Sequence, residues 1–280
     1  MTRLPASQRL DLRTVPVHDV LSRVQSALQL AMTGETVLKR RSIGFRSDRG
    51  TWVRVECRGL ERADGQGWGL EAARSIVGVP IPAWCAGVSW LDLQREVLWR
   101  ADETALIDEA PIGRANRAIS LPESWWRAFS LAMDQLAGHV TTRVATPDCA
   151  PITTGRIETV IRSVYPGAVG IRIEEWTTAH ADLTWANITG PRLWLLDWED
   201  HGRAPRGLDA AVLWFGSLAV PDVAERVYRE LRRHLDCRTG RVMQLFKCTE
   251  LLAWADESEA LFAPAQREAE RLRALLAERP

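Results

Sequence analysis

The chain contains little lysine, and this scarcity decides which residues are available for positive contacts. Lys39 and Lys247 are the lysines among 36 basic residues, so arginine must supply nearly every cationic side chain. Acidic residues also number 36, which leaves no net charge at pH 7. Without a net positive charge, the sequence does not predict attraction to nucleic acid or to an anionic membrane. A charged ligand must therefore be held by a local site.

Cysteine and long apolar runs are also scarce. The five cysteines are scattered, odd in number and form no CxxC pair, which argues against a zinc site or a disulfide framework. The opening residues "MTRLPASQRLDLR" lack the apolar segment of a signal peptide, and no apolar run approaches the ~18 residues of a membrane span. We therefore expect a soluble, cytoplasmic protein with reduced thiols and no membrane partner.

The first part of the chain has the patterns of strands. An amphipathic helix is predicted over 17–32, followed by two strands over 35–45 and 51–57 with a tight turn between them. A helix should open near Leu70 and end before the prolines of "VPIPAW". The segments "EVLWR" and "TALIDEAPIG" predict further strands, the second running into a connector.

The rest of the chain is predominantly helical in pattern. Apolar residues recur at i, i+3 and i+4 in "PESWWRAFSLAMDQLAGHV", "TGRIETVIRSVY", "PDVAERVYRELRRHL", "RVMQLFKCTELLAWA" and "PAQREAERLRALLAE". We therefore predict an α+β protein of two lobes. A small strand-rich N-terminal lobe would span 1–112, and a larger helical C-terminal lobe would span 113–280.

One stretch, "HADLTWANITGPRLWLLDWEDH" at 180–201, gathers polar side chains around an apolar run. Read as a hairpin turning at Gly190–Pro191, it would bring Asn187 close to Asp197, with Asp182 in the preceding loop. An amide oxygen and a carboxylate suit Mg²⁺, which takes few protein ligands together with phosphate oxygens. A further carboxylate can accept a hydroxyl proton, so the set predicts phosphoryl transfer.

This stretch resembles the catalytic region of the aminoglycoside phosphotransferase family, which has the protein-kinase-like fold. The family signature is His-Gly-Asp-x-x-x-x-Asn followed by Ile/Leu-Asp-Trp/Phe-Glu, and the chain has "HADLTWAN" and "LLDWED". Ala181 stands where the family usually has glycine. Downstream, "RAPRGLDAA" places Asp209 at a structural carboxylate position. The resemblance covers 176–215, and a weaker one covers 70–115.

The resemblance implies a role for each matching residue. Asp182 would be the catalytic base and His180 would orient the loop around it, while Asn187 and Asp197 would bind Mg²⁺. The implied activity is transfer of the γ-phosphate of ATP or GTP to a hydroxyl group, usually of a small molecule.

The nucleotide contacts implied for the small lobe are less regular. Arg54 stands where the family has Lys, or sometimes Arg, and would contact phosphate with Glu71 as its partner; Lys39 is the alternative. The interlobe hinge would hold the adenine through backbone groups of Asp108, Glu109 and Ala110.

Two other interpretations stay open at this stage. The acceptor could be Ser or Thr of a peptide in natural-product maturation of the lanthipeptide type, with a partner enzyme in the pathway. Alternatively, the chain could be a pseudokinase that binds a partner. Trp185 and Trp198, beside the assigned ligands, could line the acceptor cleft, although most tryptophans are core residues.

Overall fold

The computed structural model describes residues 10–60, 68–113, 115, 120–147 and 150–278. The chain divides into two compact units. The first consists of Met1–Ser75 and Ile81–Asp108, and the second of Ile76–Pro80 and Glu109–Pro280.

The first unit is built on an antiparallel sheet of five strands in the order β1-β2-β3-β5-β4. Its elements are α1 (His18–Leu28), β1 (Met32–Leu38), β2 (Ser42–Ser47), β3 (Thr51–Gly59), α2 (Gly69–Ala73), β4 (Trp84–Asp92) and β5 (Val97–Ala105). Alternation along β3 gives the sheet two different faces. Val53, Val55 and Cys57 point into a core that also takes the apolar side of α1, whereas Arg54 and Glu56 point to the other face.

Three strand predictions differ from the structure. The predicted strand at 35–45 is in fact two strands, β1 and β2, separated at the turn 39–41. The predicted strand at 104–113 is wrong beyond Ala105, where β5 ends. Strand β4 was not predicted, because the prolines before it were interpreted only as the end of a helix.

The second unit is mainly helical, as predicted. Its helices are α3 (Glu123–Gly138), α4 (Thr154–Val164), α5 (Leu208–Phe215), α6 (Pro221–Leu235), α7 (Arg238–Leu252) and α8 (Phe262–Ala277). Each of the five predicted amphipathic segments corresponds to one of these helices, within a few residues at either end. Helix α5 was not among the predicted segments; six of its eight residues are buried, so it lacks the polar side of an amphipathic helix. In the described residues no helix is long and apolar enough to cross a membrane.

A two-stranded antiparallel ladder in the second unit positions the stretch 180–201. Strand β6 (Trp176–Ala179) ends at the residue before His180, and β7 (Gly202–Pro205) begins at the residue after His201. Ala179 lies opposite Gly202 in the ladder, so the whole stretch is a loop whose two ends are hydrogen-bonded neighbours. Gly202 is required there, because a Cβ atom would lie 2.5 Å from the backbone of Val144 and Ala145.

Candidate active site

The loop between β6 and β7 begins with a tight turn that is held by one carboxylate. Asp209, in the first turn of α5, accepts hydrogen bonds from the backbone N–H of His180 (2.6 Å) and of Ala181 (2.8 Å). Ala181 has a φ of 71°, in the left-handed region, which costs a non-glycine residue ~1–2 kcal/mol. The two charge-assisted bonds offset that strain. Burial raises the pKa of the Asp209 carboxyl to about 6, although both hydrogen bonds act in the opposite direction.

His180 is fully buried and bonded through both ring nitrogens. Its Nε2 lies 2.7 Å from the carbonyl oxygen of Leu196, and its Nδ1 accepts the backbone N–H of Asp182 at 3.3 Å. This pattern requires a proton on Nε2 and none on Nδ1, which is the neutral ring. Burial also lowers the pKa of His180, which favours the same neutral form. The side chain therefore links Asp182 to the strand-like segment before Asp197.

Asp182 and Asn187 are in direct contact. The Asn187 Nδ2 donates to the backbone oxygen of Asp182 at 2.8 Å and to its Oδ2 at 2.9 Å. Both bonds use the amide nitrogen, so the amide oxygen is the atom left to act as a metal ligand. Burial raises the pKa of Asp182 to about 6, and the nearby negative charge of Asp197 adds to that rise.

The predicted hairpin around this pair is only partly present. Leu196 N donates to Asn187 O (2.8 Å) and Thr189 N to Trp194 O (3.1 Å), so residues 187–196 are paired in antiparallel fashion. The segment Trp185–Asn187, however, is a 3₁₀ turn and not a strand. The turn swings the Asn187 side chain back onto Asp182, which a regular strand would not do.

Asp197 adopts the left-handed conformation, with a φ of 67°, at the start of the 3₁₀ turn Trp198–Asp200. Its negative charge acts in the direction of a higher pKa on both His180 and Asp182. In the part of the chain that the structure describes, no group of three or more His, Cys, Asp or Glu side chains could hold a metal by itself.

The two acidic residues after Trp198 have structural contacts. Asp200 is buried and accepts the Thr146 hydroxyl at 2.9 Å. Arg143 donates to the backbone oxygens of Glu199 (2.7 Å) and His201 (2.8 Å). Burial lowers the pKa of His201 to about 4.

The prediction that Trp185 and Trp198 line an acceptor cleft is wrong. Both are buried, at 3% and 1% exposure. Trp185 stacks on Trp125 with centroids 6.4 Å apart, and Trp198 donates its indole N–H to Leu195 O at 2.7 Å. Each belongs to the packing beneath the loop, because apolar area of this size is best removed from water.

In the first unit the predicted pairing of Arg54 with Glu71 is not the one present. Arg54 pairs with Glu56 at 2.6 Å, and Glu71 on α2 pairs instead with Arg100 on β5 at 3.0 Å. Arg100 also pairs with Asp102, which lies directly opposite Arg54 in the sheet. Arg100 was not predicted, because the sequence gives no signal for it beyond its place in a strand.

The remaining small-lobe residues of the prediction lie away from these pairs. Lys39 is in the turn between β1 and β2. Asp108, whose side chain is 83% exposed, lies 3.9 Å from Arg46. Asp108 is the last residue of the first unit, and Glu109 and Ala110 begin the second part of the other. The adenine contacts of these three residues stay a prediction.

Known proteins resemble this chain in fold and not closely in sequence. No protein-family profile matches it, and no curated protein does. Among solved structures, the aminoglycoside phosphotransferase APH(4)-Ia is 14% identical, with a TM-score of 0.56 over 93% of this chain and 98% of that one. A choline/ethanolamine kinase family protein from Mesorhizobium loti is 19% identical (TM-score 0.50, covering 94% and 96%). The amicoumacin kinase hAmiN, in complex with AMP-PNP, Ca²⁺ and Ami, is 10% identical (0.52, 95% and 95%). The α+β protein-kinase-like fold is thereby confirmed.

Proposed function

We propose that this protein is a phosphotransferase that moves the γ-phosphate of ATP or GTP to a hydroxyl group of a small molecule, with Mg²⁺ as its cofactor. The observation that carries the proposal is the contact between Asp182 and Asn187, on a loop that has both of its ends fixed by the ladder of β6 and β7. A carboxylate beside an amide, with Asp197 nearby, is the apparatus of phosphoryl transfer.

Asp182 is the residue that would take the proton. As the acceptor oxygen forms its bond to the γ-phosphorus, its proton passes to the Asp182 carboxylate. The bond between the γ-phosphorus and the β–γ bridging oxygen breaks, and the nucleoside diphosphate leaves with that oxygen. His180 accepts the backbone N–H of Asp182, and the Asn187 amide donates to the Oδ2 of Asp182. The carboxylate is therefore already positioned before the reaction.

The residues present fit Mg²⁺. Asn187 would contribute its amide oxygen and Asp197 its carboxylate, and two protein ligands are enough because Mg²⁺ keeps water and phosphate oxygens in its shell. When bound, the ion neutralises the charge that the phosphates carry and develop.

Arg54 is the proposed phosphate contact on the sheet. It is 30% exposed and pairs with Glu56, a partner that a phosphate group can replace because guanidinium binds phosphate with the same two-pronged geometry. Glu71 of α2 pairs with Arg100 and not with Arg54. The backbone of 108–110 is proposed to hold the base.

The acceptor class rests on the proteins of similar fold. The names of the three structures above describe kinases of aminoglycosides, of amicoumacin and of the choline and ethanolamine class. One of them was solved with a nucleotide analogue and a divalent cation, which supports the same pair of ligands here.

The test is a phosphorylation screen. Purified protein is incubated with ATP or GTP and Mg²⁺ together with hydroxyl-bearing small molecules, and in a separate arm with Ser- and Thr-containing peptides. Mass spectrometry then follows the gain of one phosphoryl group. Thermal shift with nucleotide, with and without Mg²⁺, runs in parallel. Nucleotide binding without transfer to any acceptor or to water would identify a pseudokinase and refute the proposal.

A further inference from the structure

A buried tryptophan occupies the middle of the loop between the proposed base and the proposed metal ligand. Trp185 lies three residues after Asp182 and two before Asn187, and its indole N–H donates to the hydroxyl oxygen of Ser217 at 2.9 Å. That hydroxyl in turn donates to the backbone oxygen of Leu213 at 2.7 Å. Trp185 is 3% exposed and Ser217 0%, so water cannot replace either bond.

The rest of Trp185 is equally constrained. Its ring stacks on Trp125 (6.4 Å) and meets the edge of Trp126 (6.1 Å). Its backbone oxygen accepts the N–H of Gly113 at 2.9 Å. The ring packing fixes where the indole lies, and the bond to Ser217 is a polar contact that fixes its rotation.

Helix α5 and the turn after it therefore hold the loop at two points. Asp209, near its first residue, takes the amides of His180 and Ala181, and Ser217, just beyond its last residue, takes the indole of Trp185. Ser217 lies eight positions after Asp209, a spacing that would correspond to roughly 12 Å along a helix. Asp182 and Asn187 lie on the loop that runs between and just past these two anchors.

We propose that Ser217 is a positioning residue for phosphoryl transfer, acting through Trp185 to hold Asp182 and Asn187 in their reactive arrangement. The expected effect of Ser217 on the catalytic rate rests on the proposed function. Its expected effect on the conformational order of the loop rests on the loop geometry alone. Loss of the second anchor should let the 3₁₀ turn of 185–187 shift. Even a displacement of ~1 Å can lower a catalytic rate ~100-fold.

The experiment compares four proteins with the wild type. Ser217→Ala leaves a buried indole N–H without a partner, whereas Trp185→Phe removes that N–H and keeps an aromatic ring. The double variant removes both the hydroxyl and the N–H. Ser217→Thr keeps the hydroxyl. Trp99→Phe is the matched control, because Trp99 is also a buried tryptophan whose indole donates to a side chain, Asp92, but in the first unit.

We expect kcat to fall about 5- to 100-fold in Ser217→Ala, because one hydrogen bond is lost and the buried indole N–H of Trp185 is left without an acceptor. The KM for nucleotide should change by less than about 3-fold. Trp185→Phe should lose less, and the double variant should resemble Trp185→Phe, because the unpaired donor is gone. Ser217→Thr should retain most of the rate, and Trp99→Phe should leave kcat unchanged.

A second readout is independent of activity. Hydrogen exchange followed by mass spectrometry should show amides of 182–189 exchanging ~10-fold faster or more in Ser217→Ala, because the opening of a segment lowers its protection. Trp99→Phe should not change this segment. If the wild type transfers no phosphate, the proposed function fails, and the exchange data still decide whether Ser217 orders the loop. Wild-type kcat and wild-type protection in Ser217→Ala would overturn the inference, as would an equal loss in Trp99→Phe.

Discussion

The substitution Asp182→Asn is the most informative single change, because it removes one negative charge and almost nothing else. The Asn187 Nδ2 can still donate to the backbone oxygen of residue 182 and to the new amide oxygen, and the backbone N–H of 182 can still donate to His180. The loop should therefore keep its conformation. Among the described residues no salt bridge to Asp182 is found, and burial raises the pKa of this carboxyl, so the loss of its charge should not lower the free energy of unfolding.

The rate should respond very differently from the fold. A general base contributes ~10²–10⁴-fold, which corresponds to roughly 3–5 kcal/mol of transition-state stabilisation. Nucleotide affinity in Mg²⁺ should stay within about 3-fold of wild type, because the proposed ligands Asn187 and Asp197 are untouched.

The assay measures transfer to the best acceptor of the screen, or slow nucleotide hydrolysis if no acceptor is found, with nucleotide affinity from calorimetry and stability from urea unfolding. Asp222→Asn, an exposed carboxylate in the first turn of α6, is the matched control. A measurable wild-type rate that survives in Asp182→Asn would show that another group takes the proton. A loss of stability equal to the loss of rate would show that Asp182 is structural.

Three further changes test other parts of the site. Asp197→Ala should abolish the Mg²⁺-dependent part of nucleotide binding, measured by calorimetry with and without the ion, and unchanged Mg²⁺ dependence would refute its role as a ligand. Arg54→Ala should weaken nucleotide binding by about 1–3 kcal/mol and Arg54→Lys should recover much of it; equal affinity in all three proteins would direct attention to Lys39. The pKa of His201 falls from 6.5 to about 4 in the folded chain, so the unfolded chain binds more protons between those values and stability should drop as pH falls through that window, by up to about 3 kcal/mol relative to His201→Gln. Urea unfolding near neutral pH and near pH 4 measures this, and parallel losses in both proteins would contradict it.

Two residues of the loop have strained backbone conformations. Ala181 and Asp197 both occupy the left-handed region; Ala181 directly precedes the proposed base Asp182, and Asp197 is itself a proposed metal ligand. Such conformations persist only where the surroundings determine them. At Ala181 the surroundings are the carboxylate of Asp209.

Local patterns were enough to predict five helices of the second unit and the strand-rich character of the first. Apolar residues at helical spacing mark α3, α4, α6, α7 and α8, because burying one side of a helix requires that spacing. The spacing of Asp182 and Asn187 was also sufficient to indicate their proximity, and a hydrogen bond joins their side chains. The metal-binding role of Asp197 stays a prediction.

Tertiary contacts decided everything that depends on residues distant in sequence. Glu71 pairs with Arg100 because the fold brings α2 next to β5, a neighbour relation that no local pattern contains. Trp185 is a core residue and not part of a cleft because Trp125 lies sixty positions earlier in sequence and packs on it in space. Ser217 carries no motif of its own. Its hydroxyl matters because α5 ends where the loop's indole needs a partner, and a buried donor must find one within the fold.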